Sequence, residues 1–295
     1  MLEKTTESQN IVTITGVLNE LDIVEGRTAD GREFVRGTAF IAVDQEVDGV
    51  PVSNIIPVKM FSMKLKKDGG PNKIYERILG YKNEFKSVAI VEDRSEATRV
   101  TVSAKVSENS FYDERTNQIR SGYAIDSNFI NKAKDADTEG AKFVFSGVVM
   151  GKQNEVDTNG EETGRLLVKM GLVGYAGKLN VITLVATGSK KDHIENNWEN
   201  KETVKVAGLV NMTHEVKQIV DDSGFGDPIV RTKTINKNEL FITGGSASGL
   251  EEDLSYDATD ISEMLEARKA DLEALKNKTP KAAPAKSNGG FDVGF

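Results

Sequence analysis

Polar and apolar positions alternate with a period of two through much of this chain, and Val, Ile and Thr dominate the alternating runs. Successive side chains of an extended strand point to opposite faces, so the pattern predicts half-buried β-strands. Ile11-Val-Thr-Ile-Thr-Gly-Val17, Ile55-Ile-Pro-Val-Lys-Met-Phe61 and Arg99-Val-Thr-Val-Ser-Ala-Lys-Val106 carry it in the first half. Phe143-Val-Phe-Ser-Gly-Val-Val149, Arg165-Leu-Leu-Val-Lys-Met170, Leu179-Asn-Val-Ile-Thr-Leu-Val185 and Val204-Lys-Val-Ala-Gly-Leu-Val210 carry it in the second. Turn residues separate the runs at Asp30-Gly31, Asp48-Gly49, Asp68-Gly-Gly-Pro71, Asn159-Gly160 and Ser223-Gly224. Helical signals are few. Asn72 to Gly80 predicts one short helix and Lys190 to Asn200 another, with Ile194 and Trp198 four apart on a packing face. A third begins at Asp260, a capping residue with Glu263 three places on, and carries Ile261, Met264, Leu265, Leu272 and Leu275.

The two halves repeat one another. Each opens with a strand interrupted by glycine, Ile14-Thr15-Gly16-Val17 and Phe145-Ser146-Gly147-Val148. Each then predicts a hairpin, a third strand, a short helix, a fourth strand, a second hairpin and a last strand. Three strands, a helix and two strands over roughly a hundred residues is the order of an OB barrel, in which a glycine lets the first strand bend and pair on both sides. The expected fold is therefore mainly β: tandem five-stranded OB-type barrels over 10–133 and 142–245, joined by a polar linker at 134–141. Residues 1–9 are expected to be disordered, 246–279 to form an acidic helical segment, and 280–295, rich in Pro, Ala, Lys and Gly, to be a disordered tail.

Charge modifies this picture only locally. The net charge is −8, which argues against a uniformly basic nucleic-acid binder. Residues 251–279 hold nine acids and four bases, so this segment accounts for five of the eight net negative charges. A basic groove elsewhere remains open, as does the reading that acidity serves solubility. The acidic segment could also imitate nucleic acid and compete for such a groove. There is no cysteine and there are two histidines, so disulfides, thiolate zinc sites and histidine-rich metal sites are excluded. No phosphate-binding loop, nucleophile elbow or metal-ligand cluster occurs, and the expectation is a non-enzyme without cofactor or metal. The N-terminus lacks the regions of a signal peptide and no run approaches the ~20 apolar residues of a membrane helix, so a cytoplasmic location without membrane contact is expected.

Three stretches point further. Ile55-Ile-Pro-Val-Lys-Met-Phe-Ser-Met-Lys64 runs from aliphatic residues to an aromatic, a small residue and a Lys; Val106-Ser-Glu-Asn-Ser-Phe-Tyr-Asp113 places aromatics just before an Asp; and the chain closes on Phe291-Asp-Val-Gly-Phe295 after a flexible stretch. Together with Glu202-Thr-Val-Lys-Val-Ala-Gly-Leu-Val210, these resemble the single-stranded-DNA-binding (SSB) family of bacteria and their phages. The resemblance puts Phe61 at the third-strand aromatic position and Phe111 and Tyr112 at or beside the one that follows strand four. In the second half the third-strand position holds Ala186 and no aromatic follows strand four, which puts that barrel's stacking ability in doubt. The tip has one Asp where the family has several, and Gly where proline is usual. Two barrels in one chain is closer to phage or archaeal arrangements than to the common bacterial form.

Binding a single strand needs flat aromatic faces for bases and cations along the backbone. Phe111 and Tyr112 sit in a polar hairpin and, being adjacent in a strand, cannot both point into the core; packing of the loop is the alternative. Phe61 ends a run whose alternation is imperfect, so core and surface both stand. Tyr123 in the fifth strand and Phe34 on the second are further candidates, whereas Trp198 reads as core. Arg32, Arg36, Lys59, Lys64, Arg115 and Arg120 are the candidate cations of the first half, and Lys169, Lys205, Arg231 and Lys233 those of the second; a solvated strand face explains them equally. Phe291, Asp292, Val293 and Phe295 suit a small apolar pocket rimmed by basic residues on a partner protein.

The function expected from these residues is non-sequence-specific single-stranded DNA binding in replication, recombination or repair. The tip would recruit replication or recombination proteins. A structural virion or tail protein is the rival from another class, and an RNA-binding OB protein a third reading. The oligomeric state stays open, homo-oligomers included.

Overall fold

The strands are long and most of them pair on both edges. The computed structural model describes the backbone of residues 6–221 and 229–277, with side chains throughout except at 214–221 and 229–236. In the first half β1 (Asn10–Arg27), β2 (Glu33–Val47) and β3 (Val50–Met63) lead to helices α1 (Lys73–Glu84) and α2 (Val88–Val91). Strands β4 (Arg99–Asp113), β5 (Gln118–Asp126) and β6 (Ile130–Lys132) follow. The second half runs β7 (Gly140–Val156), β8 (Glu162–Val173), β9 (Leu179–Ala186), helix α3 (Gly188–Asn197), β10 (Thr203–Asp221) and β11 (Ile229–Gly245), before helix α4 (Ala258–Lys276).

Each half closes on itself. β1 pairs antiparallel with β2 and β4, β3 with β2, and β5 with β4, while β3 and β5 meet in parallel. β7, β8, β9, β11 and β10 repeat the circuit, again with one parallel contact. The fold is thus mainly β and of the OB type, as the strand order predicts.

The glycines that interrupt the first strands act as predicted. Val17, just after Gly16, pairs with both Ala42 of β2 and Arg99 of β4. Val148, just after Gly147, pairs with both Gly171 of β8 and Thr203 of β10. The backbones crowd there: a Cβ on Gly16 would lie 2.2 Å from the Ala42 carbonyl oxygen, and one on Gly147 2.6 Å from that of Gly171. A bulge follows in each, between Leu18 and Glu20 and between Val149 and Gly151, turning the strand from one partner to the other.

The two circuits are not beads on a string. β1 also pairs with β7, merging all eleven strands into one sheet. Val12 faces Phe143 at the middle of this junction. The step along the chain that carries Gly16 to Gly147 also carries Val12 to Phe143, so the junction has approximate two-fold symmetry. Two expectations need correction here. Gly140 and Ala141, assigned to a linker, lie in β7; Ala141 is buried opposite Ile14, and its N–H donates to Gln45 Oε1 at 2.8 Å. Residues 6–9, assigned to a disordered terminus, are fastened in part: Ser8 is buried, and its N–H donates to the Val173 carbonyl at 2.8 Å.

The helices end where local chemistry dictates. Asn72 caps α1 by accepting from the Ile74 N–H at 3.1 Å. α4 starts earlier than its sequence signal, because Asp257 rather than Asp260 provides the cap, accepting from the Thr259 N–H at 2.7 Å. Trp198 is core, as its spacing predicts, and its indole N–H donates to the Ser246 carbonyl at 2.9 Å. α4 docks instead of floating. Ile261 and Met264 pack against Val148, Val173 and Leu179, a burial that stabilises by about 1.5–3 kcal/mol for each side chain.

A candidate nucleic-acid interface on the first barrel

Strand β3 alternates strictly once it enters the sheet. Asn54, Ile56, Val58, Met60 and Ser62 are buried, so Ile55, Lys59 and Phe61 face out in one row. Phe61 is 53% exposed, although aromatic rings usually end up covered. Phe34 on β2 stands beside it, ring centroids 5.6 Å apart and planes tilted by 34°. Phe34 lies across Gly26, where any Cβ would come within 2.6 Å of the ring, so this glycine makes room for the aromatic that supports Phe61.

Phe61, backed by Phe34, borders an open groove of about 910 Å³ on the face of barrel 1. Arg36 and Lys59 line it with Phe61, as do Lys105 of β4 and two carboxylates, Asp22 and Asp126. Among the described residues Arg36 and Lys59 have no ion-pair partner, while Lys105 lies 3.5 Å from the Glu7 carboxylate in an exposed pair of little energetic weight. Ile11, Val24 and Phe129 add apolar floor, each more than two-fifths exposed. Asn128, another lining residue, accepts the Phe61 N–H on its Oδ1 at 2.9 Å.

The structure therefore brings Phe34, Arg36, Lys59 and Phe61 together. Phe111 and Arg120 are cross-strand partners on the β4–β5 hairpin, six residues along β4 from Lys105 and of the same alternation parity. Arg120 is tied to Asp113 at 2.6 Å, which holds the Asp113 carboxyl below the usual carboxylate range. Arg115 is exposed in the turn of that hairpin, where its N–H donates to Asp113 Oδ1 at 3.1 Å. Tyr112 belongs to the opposite parity from Phe111, and its hydroxyl donates to Asn117 Oδ1 within the hairpin.

Tyr123 does not join the groove. It packs against the core, paired with Glu108, and burial followed by the nearby Glu239 carboxylate pushes its hydroxyl pKa up. Lys169 and Lys205 are exposed on β8 and β10 but line no part of the groove. The side chain of Arg231 lies outside the described residues, as do Phe291, Asp292, Val293 and Phe295. Sequence reasoning missed Phe129, Lys105, Ile11 and Asn128; the outward parity of Lys105 in a clean alternating run was a usable signal, while nothing local marked Phe129.

The second barrel's equivalent face is built differently. In barrel 1, Thr38, Lys59, Asp126 and Lys105 are neighbours across β2, β3, β5 and β4. The matching row of barrel 2 is Leu167, Val185, Phe241 and Leu209. That row is apolar and covered: Val47 and Val52 of the β2–β3 hairpin pack onto Val185, Phe241, Leu167 and Leu209. The position matching Phe61 by register is Thr187, one residue beyond Ala186, and its hydroxyl donates to Asp48 at the tip of the same hairpin, at 3.0 Å. Barrel 1 thus occupies the face of barrel 2 that corresponds to its own groove.

α4 lies elsewhere. Arg268 grips the Glu108 carboxylate at 2.7 and 2.8 Å, and Glu108 has the opposite parity on β4 from Phe111. The described part of the acidic segment therefore does not sit in the groove.

A family model named YorF matches residues 8–278. The chain belongs to the YorF family. No curated protein matches it. Among solved structures it is similar to the wild-type single-stranded DNA binding protein from Thermus aquaticus, at 10% identity and a TM-score of 0.50, covering 83% of this chain and 96% of that one. A deletion mutant of the same Thermus aquaticus protein gives 10% identity and a TM-score of 0.49, covering 83% and 97%. This YorF-family chain thus shares a fold with that protein. No helix among its described residues is long and apolar enough to cross a membrane, and no group of three His, Asp or Glu side chains there is arranged to hold a metal.

Proposed function

We propose that this chain binds single-stranded DNA without sequence specificity through the groove of barrel 1, with barrel 2 serving as its scaffold. The carrying observation is the contrast between the two equivalent faces: one is open, aromatic at its edge and lined by Arg36, Lys59 and Lys105; the other is apolar and already covered. Bases stack on Phe61, supported by Phe34, and the phosphates pass the cations. Stacking on an exposed aromatic contributes about 1–3 kcal/mol per base and is indifferent to base identity. Phe111, Arg115 and Arg120 extend the path along the β4–β5 hairpin, while Tyr112, of the opposite parity, stays off it. Likeness of fold to a single-stranded DNA binding protein supports this reading. Service in replication, recombination or repair, and recruitment of partner proteins by Phe291, Asp292, Val293 and Phe295, rest on the sequence alone.

The test is fluorescence anisotropy of a labelled oligo-dT at two salt concentrations, with duplex DNA and oligo-rU as competitors. The expected result is binding that weakens with salt, by a slope of about −0.7 per phosphate contact, and that duplex does not displace. Absence of binding at low salt overturns the proposal; stronger competition by oligo-rU converts it to an RNA-binding one.

A further inference from the structure

Phe129 sits in the short connection between β5 and β6, and its neighbours are unusually well fastened. The Tyr81 hydroxyl, on a side chain buried in the core, donates to the Asn128 carbonyl at 3.0 Å and accepts the Ile130 N–H at 3.0 Å. The backbone on both sides of Phe129 is thereby pinned to α1. Yet the Phe129 ring is 48% exposed, and it borders the groove. A ring on backbone fastened from both sides, yet left half outside the core, keeps surface free for a ligand.

One group attends the ring. The Arg77 guanidinium of α1 lies 5.5 Å from the Phe129 centroid. It is itself fixed, donating from Nε to the Tyr81 hydroxyl at 3.0 Å and from Nη2 to Asn131 Oδ1 at 3.1 Å. Its hydrogen-bond partners are neutral, so its charge is not cancelled by a carboxylate among the described residues. A half-exposed aromatic ring on fastened backbone, with a cation over it that no carboxylate pairs among the described residues, is the pairing that one nucleotide needs at the margin of a groove: ring surface for the base and a charge for the phosphate.

We infer that Phe129 and Arg77 form a second nucleotide platform, separate from Phe61 and Phe34, over which the strand leaves the groove across α1. This rests on the proposed function, since it presupposes a single strand in the groove. Such a platform makes α1 part of the binding surface, beyond its role in closing the barrel.

The experiment measures oligo-dT affinity and its salt dependence for the wild-type chain, Phe61→Ala, Phe129→Leu and Arg77→Gln. Emission of Phe129→Trp is followed during titration, the native Trp198 being buried. Phe129→Leu is expected to weaken binding by about 5- to 150-fold with an unchanged salt slope. Arg77→Gln is expected to flatten that slope by up to about 0.7. The indole introduced by Phe129→Trp is expected to be quenched as oligo-dT saturates the protein, a readout that does not depend on a truncated side chain being tolerated. Unchanged affinity in Phe129→Leu, or a loss of affinity there without any quenching in Phe129→Trp, overturns the platform while leaving the groove intact. Failure of the wild-type chain to bind at all removes the proposed function and the platform with it.

Discussion

Asn54 and Asn180 hold the same position in the two barrels, and each side chain accepts a backbone N–H from the opposite barrel. The Met212 N–H donates to Asn54 Oδ1 at 2.7 Å and the Glu108 N–H to Asn180 Oδ1 at 3.3 Å. Met212 and Glu108 are also equivalent by strand register. The two halves therefore clasp each other reciprocally, as two subunits of a symmetric dimer would.

The clasp is uneven, which gives a first prediction. Asn54 is fully buried, whereas Asn180 is half-buried and makes the longer bond. Asn54→Ala leaves a buried N–H unpaired and is expected to cost about 1–3 kcal/mol, with Asn180→Ala costing less than about 1 kcal/mol. Urea unfolding of both variants measures this, and equal losses would contradict the difference in burial.

Gly16→Ala and Gly147→Ala force a Cβ into a backbone carbonyl and are each expected to cost more than about 2 kcal/mol. Gly80, inside α1 with open space where a Cβ would go, is the control: Gly80→Ala is expected to stabilise by about 0.5–1 kcal/mol. Thermal unfolding that ranks the three variants otherwise would refute the crowding argument.

Val47→Asp sets a carboxylate into an apolar cluster, against Val185 and Phe241. A stability loss of about 2 kcal/mol or more is expected. A neutral effect in chemical denaturation would mean that the β2–β3 hairpin does not cover barrel 2 in solution.

Burial acts to raise the Glu108 pKa, but the Arg268 guanidinium, the Ser110 hydroxyl and the Val181 N–H outweigh it, and the net shift is downward. A depressed folded-state pKa means that Glu108 stabilises above its unfolded-state value of 4.5 and that this contribution is lost as pH falls through the folded value. Arg268→Ala removes the main partner and so should be destabilising at neutral pH, with the gap to wild type shrinking as the solution is acidified below that region. A pH-independent gap in acid-titrated denaturation curves would show that packing of α4, not the ion pair, carries the effect.

What the sequence made legible were local and repeated features. The strands, the paired glycines and the buried Trp198 follow from period, turn chemistry and helical spacing. The Asp48-Gly49 turn is one such case, both residues taking positive φ of 53° and 77° between the paired Val47 and Val50. Groove membership of Arg36, Lys59 and Phe61, with Phe34 behind the last, was legible because all lie on two adjacent strands. What escaped was set by long-range packing. Tyr123 reads like any strand aromatic, although it packs on the core with Glu239 of the second barrel near its hydroxyl, and Phe129 owes its setting to Tyr81, on a helix 48 residues earlier. The β1–β7 junction, too, is invisible locally, since Gly140 and Ala141 look like linker until Gln45 and Ile14 receive them.

The central claim is that single-stranded DNA lies on barrel 1 and not on barrel 2. Photo-crosslinking an oligonucleotide substituted with 5-iododeoxyuridine, followed by mass spectrometry of the adducted peptides, tests it most directly. The account predicts adducts on aromatics of the groove, Phe61 foremost, and none on residues 163–187 of barrel 2. Adducts concentrated on that second-barrel stretch, or none anywhere under conditions of saturation, would contradict it.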